Sequence, residues 1–293
     1  MTVLVTGGTG FVGRHVVHAL RARELPVRCL VRDRGRARTL EAWGCELAEG
    51  DVTDPASLAR AAEGIDAVVH LVAIIAGKPA EFDRVMIEGT RSLVQAAAGA
   101  RRFVLMSALG VSEQTRTLVP YYRAKWEMER TVIGSGLEHV IFRPSFVFGR
   151  NGGVLPMFVR QVRFSPVVPI VGSGETRLQP IWVEDVAGFF SGAIDLPAAA
   201  GRTFELGGPD QVTWNELYAR IRRVLGARRA TIHLPFGLVR SAAALAELLP
   251  KPPVTRDQLT MLAAGDNVCD VGPAVEALGV QLVPLDDQLR RAT

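Results

Sequence analysis

Short apolar runs alternate with longer segments of helical periodicity through the first half of the chain. Unbroken apolar runs are typical of strands buried on both faces, and apolar residues that recur every three or four positions are typical of amphipathic helices. The runs predict six strands: Val3 to Val5, Val27 to Val31, Cys45 to Ala48, Ala67 to Val72, Phe103 to Met106 and His139 to Phe142. This alternation predicts βαβ units, and therefore an α/β fold with an open, doubly wound parallel sheet.

The regular alternation stops after Pro144, where glycines and prolines crowd the chain. This change predicts one domain over residues 1–150 and a smaller, loop-rich α/β region over residues 151–293, in which we expect the substrate-binding loops. The segment from Trp182 to Leu196 is predicted to form one more helix, so that residues 181–196 return to the first domain.

Two capping patterns predict helices in the second region. Thr213 and Glu216 match a capping box, which predicts a helix through about Leu225. Thr255 is a predicted N-cap for a later helix that runs through Leu262.

The stretch from His233 to Pro250 is almost entirely apolar, with Arg240 and Glu247 as its charged residues. It is shorter and more interrupted than the ~20 apolar residues that a membrane-spanning helix needs. Two interpretations stay open: a helix buried against the second domain, or a helix that faces a membrane surface or a quinone. The prolines within residues 250–253 are expected to end this helix.

The composition indicates a globular protein. The chain has 293 residues, of which 48% are hydrophobic, enough for a sizeable core. A strand that begins at Val3 leaves no room for a signal peptide, so we expect a cytoplasmic protein. Cys29, Cys45 and Cys269 are odd in number and lack CxxC spacing, which argues against a disulfide framework and a metal site and favours buried thiols.

The charge is mildly basic, with a formal net charge of +4. Nucleic-acid binding is not expected, because a broad basic face with interleaved aromatic residues is missing and aromatic residues make up 6% of the chain. A local basic cluster favours a nearby anionic ligand or a solvated loop; it consists of Arg32, Arg34, Arg36 and Arg38.

Three glycines, Gly7, Gly10 and Gly13, follow the first strand and lead into the first helix. Glycine allows a positive φ and a close approach of the backbone to a ligand, and the N–H groups at the start of a helix attract an anion. Glycine turns join strands to helices in many folds, but here a second strand follows the helix. The arrangement therefore predicts a Rossmann dinucleotide-binding domain whose loop binds a pyrophosphate.

Several further motifs occur together with the glycine loop: Gly50-Asp51-Val52, His70-Leu71-Val72-Ala73, Tyr121-x-x-x-Lys125 and Arg143-Pro144. With them the chain resembles the extended and atypical short-chain dehydrogenase/reductases over most of its length. Residues 103–110 (FVLMSALG) and 252–259 (PPVTRDQL) look most like the NAD(P)H-binding accessory subunit of respiratory complex I and its bacterial relatives.

The resemblance implies a nicotinamide dinucleotide cofactor bound along the carboxyl edge of the sheet. Asp51 would accept a hydrogen bond from the adenine amino group, with a simple turn ahead of Pro55 as the alternative, and His70 is expected to be a packed side chain. The implied cofactor-binding residues are Gly7, Thr9, Gly10, Phe11, Val12, Gly13, Arg32, Asp51, Val52, Leu71, Val72, Ala73, Ser107, Lys125 and Pro144.

The end of the second strand distinguishes the two nicotinamide cofactors. An acidic residue there binds the ribose 2′-hydroxyl of NAD, whereas arginine accommodates the 2′-phosphate of NADP. Arg32 follows Val31 directly, and a guanidinium pairs with a phosphate through two hydrogen bonds, so the sequence favours NADP. NAD is the alternative if Asp33 turns inward.

Tyr121 and Lys125 lie four residues apart on a predicted helix and therefore share one face. In the family, the tyrosine is the general acid/base and the lysine holds the nicotinamide ribose. A nearby ammonium favours the phenolate, so we expect proton exchange with a substrate hydroxyl. Tyr121 and Lys125 are the predicted catalytic residues, with Tyr122 as the alternative inward-facing tyrosine.

Two catalytic positions of the family carry apolar residues in this chain. Leu109 stands where the family commonly has a substrate-binding serine or threonine, and Met86 replaces an asparagine that supports the lysine through water. Neither side chain can donate a hydrogen bond to a developing oxyanion. The residues expected to face a substrate are Ser107, Arg143 and Gln179.

Three functions stay open at this point. The first is an NAD(P)H-dependent oxidoreductase acting on a carbonyl, hydroxyl or quinone-like group of an apolar small molecule. The second is an NADPH-binding structural, assembly or sensor protein of a respiratory complex or quinone pathway, peripheral to the inner face of a membrane. The third, a sugar-nucleotide epimerase or dehydratase, is disfavoured by Leu109. The chain is expected to be a monomer or a homodimer.

Overall fold

The structure is a computed structural model that describes residues 1–247, 249 and 254–293. The described chain divides into two compact units, each of which is built from three segments. The first unit comprises Met1–Pro144, Val183–Leu206 and Asp270–Gln281, and the second comprises Ser145–Trp182, Gly207–Cys269 and Leu282–Thr293.

The boundaries of these units differ from the segments expected from the sequence. The first unit takes a longer returning segment, Val183–Leu206, and it also takes Asp270–Gln281, which the sequence did not assign to it. The two predicted domains, 1–150 with 181–196 and 151–293, stay a prediction, because a compact unit is not by itself an independently folding domain.

The described chain contains fourteen strands, which are numbered in chain order. They are β1 (Val3–Thr6), β2 (Val27–Val31), β3 (Glu46–Glu49), β4 (Ala67–His70), β5 (Arg102–Met106), β6 (Glu138–Pro144), β7 (Val147–Gly149), β8 (Gly152–Gly153), β9 (Val167–Val171), β10 (Arg177–Leu178), β11 (Ile181–Trp182), β12 (Arg202–Leu206), β13 (Val212–Thr213) and β14 (Ala230–Leu234).

Thirteen α-helices occur among the described residues. They are α1 (Phe11–Ala22), α2 (Arg38–Ala42), α3 (Pro55–Ala61), α4 (Pro79–Phe82), α5 (Gly89–Ala96), α6 (Pro120–Ile133), α7 (Leu155–Phe164), α8 (Val183–Gly192), α9 (Trp214–Leu225), α10 (Phe236–Ala246), α11 (Arg256–Ala263), α12 (Gly272–Leu278) and α13 (Leu285–Ala292). Short 3₁₀ turns lie at Arg34–Ala37 and Pro197–Ala199, and a π-helical stretch lies at Asp83–Glu88.

The first unit contains a seven-stranded sheet in which every neighbouring pair is parallel. The strand order is β12-β6-β5-β4-β1-β2-β3, so the chain moves outward from β1 in one direction and then returns to continue from β4 in the other. This is the doubly wound α/β arrangement that the sequence predicts. In such sheets, ligands bind at the carboxyl ends of the strands beside the point where the order reverses, here between β1 and β4.

Both faces of this sheet are covered, which is why its strands read as unbroken apolar runs. Every residue of β1 and of β4 is buried. On one face, Leu4 and Val68 belong to a core cluster that also holds buried residues of α3, α5 and α6. On the other face, Phe142 of β6 packs against Phe189 and Phe190 of α8. The six strands expected from the sequence are all present.

The seventh strand, β12, was not expected. It pairs with β6 in parallel register, with Phe204 opposite Phe142. The helix that precedes it is also shorter than predicted, because α8 ends at Gly192 and Trp182 belongs to β11, where it lies opposite Phe148 of β7. The prediction of one helix from Trp182 to Leu196 is therefore wrong at both ends.

The second unit is built from small sheets and helices around its own core. β7 pairs with β11 and β8, β9 pairs with β14, and β10 pairs with β13. Phe148, Phe158, Leu217 and Ile221 are among the buried residues of its core. The predicted caps are confirmed: the Thr213 hydroxyl accepts from the Glu216 N–H at the start of α9, and Thr255 caps α11 through Gln258.

The apolar stretch from His233 forms the end of β14 and then helix α10, and it is largely exposed. Leu238 is 61% exposed and Leu245 is 72% exposed. The interpretation of a helix buried against the second domain is therefore wrong. The apolar content of a segment does not determine whether other elements pack against it. The predicted proline stop at 250–253, and with it the first two residues of the 252–259 motif, lies outside the described residues.

Two further findings bear on expectations from composition. Cys29 and Cys45 are buried thiols, as the sequence predicts, and Cys269 is half-buried. Within residues 1–247, 249 and 254–293, no helix combines the length and the apolar character needed to cross a bilayer.

Candidate functional site

The glycine loop between β1 and α1 has a shape that requires glycine at two positions. Gly7 has a φ of +79°, in the region that side chains other than glycine rarely adopt, and its carbonyl oxygen accepts from the Gly10 N–H at 3.0 Å. A Cβ atom on Gly13 would collide with the same carbonyl oxygen. The loop therefore lies directly against the first turn of α1, with Thr9 to Val12 at the accessible edge.

The N-terminal end of α1 presents backbone donors. Gly10 is the N-cap in an extended conformation, and no side chain of the described chain caps it. The first turn contains no acidic residue, and Arg14 donates from its Nε to the Thr9 carbonyl oxygen at 3.1 Å. Uncapped N–H groups and the positive end of a twelve-residue helix form a favourable site for an anion.

The segment that follows β4 borders the glycine loop. A Cβ on Gly7 would lie 3.1 Å from the carbonyl carbon of Leu71 and 3.1 Å from the amide nitrogen of Val72. Leu71 and Val72 are half-buried and Ala73 is exposed. The structure thus brings residues 71–73 to the same edge of the sheet as Gly7, as the sequence predicts.

His70 is a packed side chain, as expected. Its Nδ1 lies 2.6 Å from the Thr6 hydroxyl and its Nε2 lies 3.0 Å from the Thr90 hydroxyl, which itself donates to the Met86 carbonyl oxygen. Thr90 must therefore accept from Nε2–H, which assigns the neutral tautomer. Burial, with the Lys125 charge adding to it, lowers the pKa of His70 to about 3, so the ring carries no charge at neutral pH.

Arg32 and Asp33, the two residues that follow β2, have different surroundings. The Arg32 side chain is 79% exposed, and its Nε lies 4.0 Å from Oδ2 of Asp51. Asp33 caps the 3₁₀ turn, accepting from the Gly35 N–H at 2.8 Å. The guanidinium is therefore accessible at the strand end, while the Asp33 carboxylate is held by the backbone of its own turn.

Asp51 lies beyond the end of β3 beside Arg32. Its Oδ1 accepts from both the N–H and the hydroxyl of Thr53, each at 2.8 Å, so that one of its oxygens is already engaged in a turn. Burial acts to raise the pKa of Asp51, but the Thr53 hydrogen bonds and the Arg32 charge outweigh it and hold the pKa below its ordinary value. Val52, the next residue, is buried.

Tyr121 and Lys125 meet at one side of α6, as their spacing predicts. The Lys125 Nζ lies 5.9 Å from the centroid of the Tyr121 ring and donates to the Met106 carbonyl oxygen at 2.5 Å. Lys125 is 1% exposed and Tyr121 is partly buried. Tyr122 points elsewhere: a Cβ on Gly110 would lie 3.1 Å from its hydroxyl.

Burial controls the protonation of this pair. It lowers the pKa of Lys125 to about 7, although the charge of Glu129 acts in the opposite direction. It also raises the pKa of the Tyr121 phenol. The phenol is therefore protonated in this arrangement, because removal from water disfavours the charged phenolate and Tyr122 acts in the same direction.

Ser107 and Pro144 lie at the ends of the adjacent strands β5 and β6. The Ser107 N–H donates to the Phe142 carbonyl oxygen, and the Leu109 N–H donates to the Pro144 carbonyl oxygen. Ser107 is 1% exposed, and its hydroxyl has no hydrogen-bond partner among the described residues. A buried hydroxyl without a partner at a strand end is a position that a bound molecule can satisfy.

The two apolar replacements are packed into the protein. Met86 is fully buried in the core cluster behind α5 and α6, and Leu109 is 6% exposed. Both positions therefore contribute packing rather than hydrogen bonds to this region.

Arg143 and Gln179 both make hydrogen bonds within the protein. Arg143 forms a forked pair with Glu129, Nε to Oε1 at 2.9 Å and Nη2 to Oε2 at 2.6 Å. Gln179 donates to the Gly208 carbonyl oxygen and accepts from the Cys269 N–H. The Arg143 Nη1 has only the Glu205 Oε1 nearby, at 3.9 Å, and a substrate-facing role stays a prediction for both residues.

Glu129 is the residue of this region that sequence reasoning missed. It is 1% exposed and lies one helical turn after Lys125 on α6. The four-residue spacing between Lys125 and Glu129 could have indicated that the two side chains are neighbours. The pairing of Glu129 with Arg143 on β6 could not be inferred from local spacing.

An open cavity of about 320 Å³ adjoins the start of α6. It is lined by Pro79, by residues 116–120 and by Arg123.

Comparison with known proteins defines the class. Residues 7–155 match the family model described as NAD(P)H-binding, and residues 108–245 match that of the RmlD substrate binding domain. Together with the seven-stranded parallel sheet and the glycine loop, these matches show that the chain belongs to the NAD(P)H-binding, atypical short-chain dehydrogenase/reductase superfamily. The resemblance inferred from the sequence motifs is confirmed.

The relatives within this class have different printed roles. The chain is 31% identical to NADH dehydrogenase (ubiquinone) 1 alpha subcomplex subunit 9, mitochondrial, of Rattus norvegicus, over 96% of this chain and 77% of that protein. It is 32% identical to the ceramide reductase of Caulobacter vibrioides, over 84% of this chain and 77% of that protein. Among solved structures, gox2253 superposes with a TM-score of 0.80 at 26% identity, covering 99% of this chain and 96% of that one.

Proposed function

We propose that this chain is an NADPH-dependent oxidoreductase that reduces a carbonyl or quinone-like group of an apolar small molecule. The observation that carries this proposal is the side-by-side placement of the Tyr121 phenol and the buried Lys125 ammonium next to the end of β5. NAD(P)H binding is a property of the family. The preference for NADPH, the identity of the proton donor and the class of substrate are proposed for this chain.

The residues present fit a nicotinamide dinucleotide. Gly7, Gly10 and Gly13 with the N–H groups of Phe11 and Val12 would hold the pyrophosphate, because this end of α1 lacks a side-chain cap in the described chain. Asp51 and Val52 would border the adenine, and residues 71–73 the ribose and phosphates. Ser107, Lys125 and Pro144 would border the nicotinamide half, where the Ser107 hydroxyl lacks a partner among the described residues.

Arg32 supports NADP over NAD. Its guanidinium is accessible at the end of β2, where it would meet a ribose 2′-phosphate through charge-assisted hydrogen bonds. Asp33, which would favour the 2′-hydroxyl of NAD, already accepts from the Gly35 N–H. Thr9 would add a hydroxyl at the loop edge.

The protonation states on α6 suit a reduction. When bound, a reduced nicotinamide supplies a hydride to the substrate carbon. Tyr121, whose phenol burial keeps protonated, would donate its proton to the substrate oxygen. Lys125 would hold the ribose and stabilise the phenolate that remains, because a cation close to the ring favours the charged form.

An apolar substrate agrees with the replacement at Leu109. Its side chain offers no hydrogen bond to a hydroxyl group of a sugar, which also argues against an epimerase. The relative from Caulobacter vibrioides is named a ceramide reductase, so a member of similar sequence acts on a molecule with long apolar chains.

The test measures NADPH oxidation by the purified chain with quinones and with long-chain aldehydes and ketones. Tyr121→Phe removes only the hydroxyl, so we expect it to bind NADPH with unchanged affinity and to lose at least about a hundredfold in kcat. Tyr122→Phe is the matched control and is expected to keep its activity. Equal turnover by Tyr121→Phe and the unchanged protein would contradict the proposed role.

A second candidate is an NADPH-binding structural or assembly protein without turnover. The observation that favours it is the packing of Met86 and Leu109, which leaves two family positions without polar groups. A relative is named as a subunit of NADH dehydrogenase, which supports association with a larger complex. Tight NADPH binding with no oxidation by any compound in the panel would select this candidate.

A further inference from the structure

We propose that strand β14 and helix α10 form a docking surface for a lipid bilayer that carries anionic headgroups. This surface, the β14–α10 face, comprises residues 228–247 and 249. Its residues take no part in the proposed redox chemistry, so the proposal holds or fails independently of it.

The β14–α10 face exposes large apolar side chains in a periodic arrangement. Leu238 and Leu245 are 61% and 72% exposed, and with the exposed Ala242 they recur at i, i+4 and i+7 along one side of α10. Leu249, just beyond the helix, is 57% exposed. Ala243 is the sole buried residue of the eleven in α10. A helix with its leucines turned to water is typical of an interfacial helix.

The apolar exposure continues next to β14. Ile232 on this strand is 39% exposed, and Phe164 at the end of α7 is 72% exposed. The Arg229 Nη2 donates to the Arg163 carbonyl oxygen at 3.3 Å, which places Phe164 beside the start of β14. The pairing of β14 with β9, the strand that follows α7, fixes the same arrangement.

The charge around this face identifies the partner. Residues 155–173 and 226–249 contain one acidic residue, Glu247, and five arginines: Arg160, Arg163, Arg228, Arg229 and Arg240. Glu247 is itself engaged, because it accepts from the N–H and the Nε of Arg256. The face is therefore apolar and cationic, a combination that binds anionic headgroups and acyl chains together. A second copy of the chain would bring like charges into contact.

The experiment is co-sedimentation of the full chain with vesicles. One set contains phosphatidylcholine alone, and the other contains phosphatidylcholine and phosphatidylglycerol at about three to one. The variants are Leu238→Glu/Leu245→Glu for the apolar side and Arg228→Glu/Arg229→Glu for the charge. Ile133→Glu, at a 41% exposed position of α6, and Arg91→Glu/Arg130→Glu, at exposed sites of the first unit, are the matched controls. Thermal unfolding with NADPH checks that each variant folds.

The expected result is sedimentation with the anionic vesicles at an affinity at least about tenfold above that for the neutral ones, falling as salt is raised. Both double variants on the face are expected to lose about tenfold or more, while the controls bind as the unchanged protein does. The proposal is overturned if the chain stays in the supernatant with both vesicles, if it binds both equally, or if the leucine variant binds as before. It is also overturned if light scattering shows a dimer that the leucine variant abolishes, with no vesicle binding.

Discussion

The Lys125 ammonium donates a hydrogen bond to the Met106 carbonyl oxygen across 2.5 Å. Met106 is the last residue of β5, so this bond holds a buried cation at the exit of a central strand. Burial lowers the pKa of Lys125 to about 7, against the ordinary value of 10.5. The protein therefore places an amine where its charged form costs stability, as is common at functional sites.

Replacing Lys125 is expected to change how stability depends on pH. Because the pKa in the folded state lies below that in the unfolded state, the stability linked to this group is fully present above about pH 10.5 and is lost as the pH falls towards about 7. Lys125→Met should therefore gain about 3 kcal/mol of stability relative to the unchanged protein as the pH falls from 9 to 6. Urea denaturation at a series of pH values measures this difference. A difference that stays constant with pH would contradict the assignment.

Arg32→Glu should change the preference between the two cofactors. Loss of a charge-assisted contact to the 2′-phosphate is expected to weaken NADPH binding by about ten- to a hundredfold and to leave NADH binding unchanged. Calorimetric titration with both nucleotides measures the two affinities. Arg36→Glu is the control, because Arg36 is exposed on the same turn. Unchanged NADPH binding by Arg32→Glu would show that Arg32 does not read the phosphate.

Gly13→Ala should damage the glycine loop. Its Cβ would collide with the Gly7 carbonyl oxygen, so the loop or the helix must shift. We expect a loss of about 2 kcal/mol in the free energy of unfolding and the loss of stabilisation by NADPH. Gly99→Ala is the control, since a Cβ there meets no atom within 4 Å. If Gly13→Ala keeps its melting temperature and its response to NADPH, the loop does not have this geometry in solution.

The forked pair of Glu129 and Arg143 should be sensitive to removal of one partner. Glu129→Gln leaves the half-buried guanidinium of Arg143 without its carboxylate and is expected to cost about 3 kcal/mol in the free energy of unfolding. Thermal and chemical denaturation measure this loss.

A matched control is the exposed pair of Arg290 and Asp287 on α13. Their side chains are 66% and 48% exposed, and the Arg290 Nη1 donates to the Asp287 Oδ1 at 2.7 Å. Asp287→Asn is therefore expected to cost less than about 1 kcal/mol. The double variant Glu129→Met/Arg143→Met should recover most of the loss, because two apolar side chains leave no unpaired charge. Equal losses in both single variants would contradict this account.

The strands of the first unit could be predicted because burial on both faces leaves a direct mark on the sequence. Val3 to Val5 and Ala67 to Val69 are apolar throughout, since helices cover both sides of the sheet. The glycine loop was predictable for a similar reason, because the collision that a side chain at Gly13 would cause is a local one.

The features that sequence reasoning missed depend on distant partners. β12 joins the sheet through its pairing with β6, and the short run at 202–206 carries no mark of that pairing. The four-residue spacing showed that the charge of Lys125 lies next to Tyr121. It did not show the burial that raises the pKa of the Tyr121 phenol. The apolar content of α10 was visible, but whether the helix is covered depends on what packs against it.

The position of β12 late in the sequence affects how the sheet assembles during translation. A nascent polypeptide that has emerged only as far as Pro144 carries six strands, and the outer edge of β6 is still open to pairing with other chains. That edge closes only after residues 202–206 have left the ribosome, so cotranslational assembly of this sheet must wait for a strand about sixty residues further along the chain.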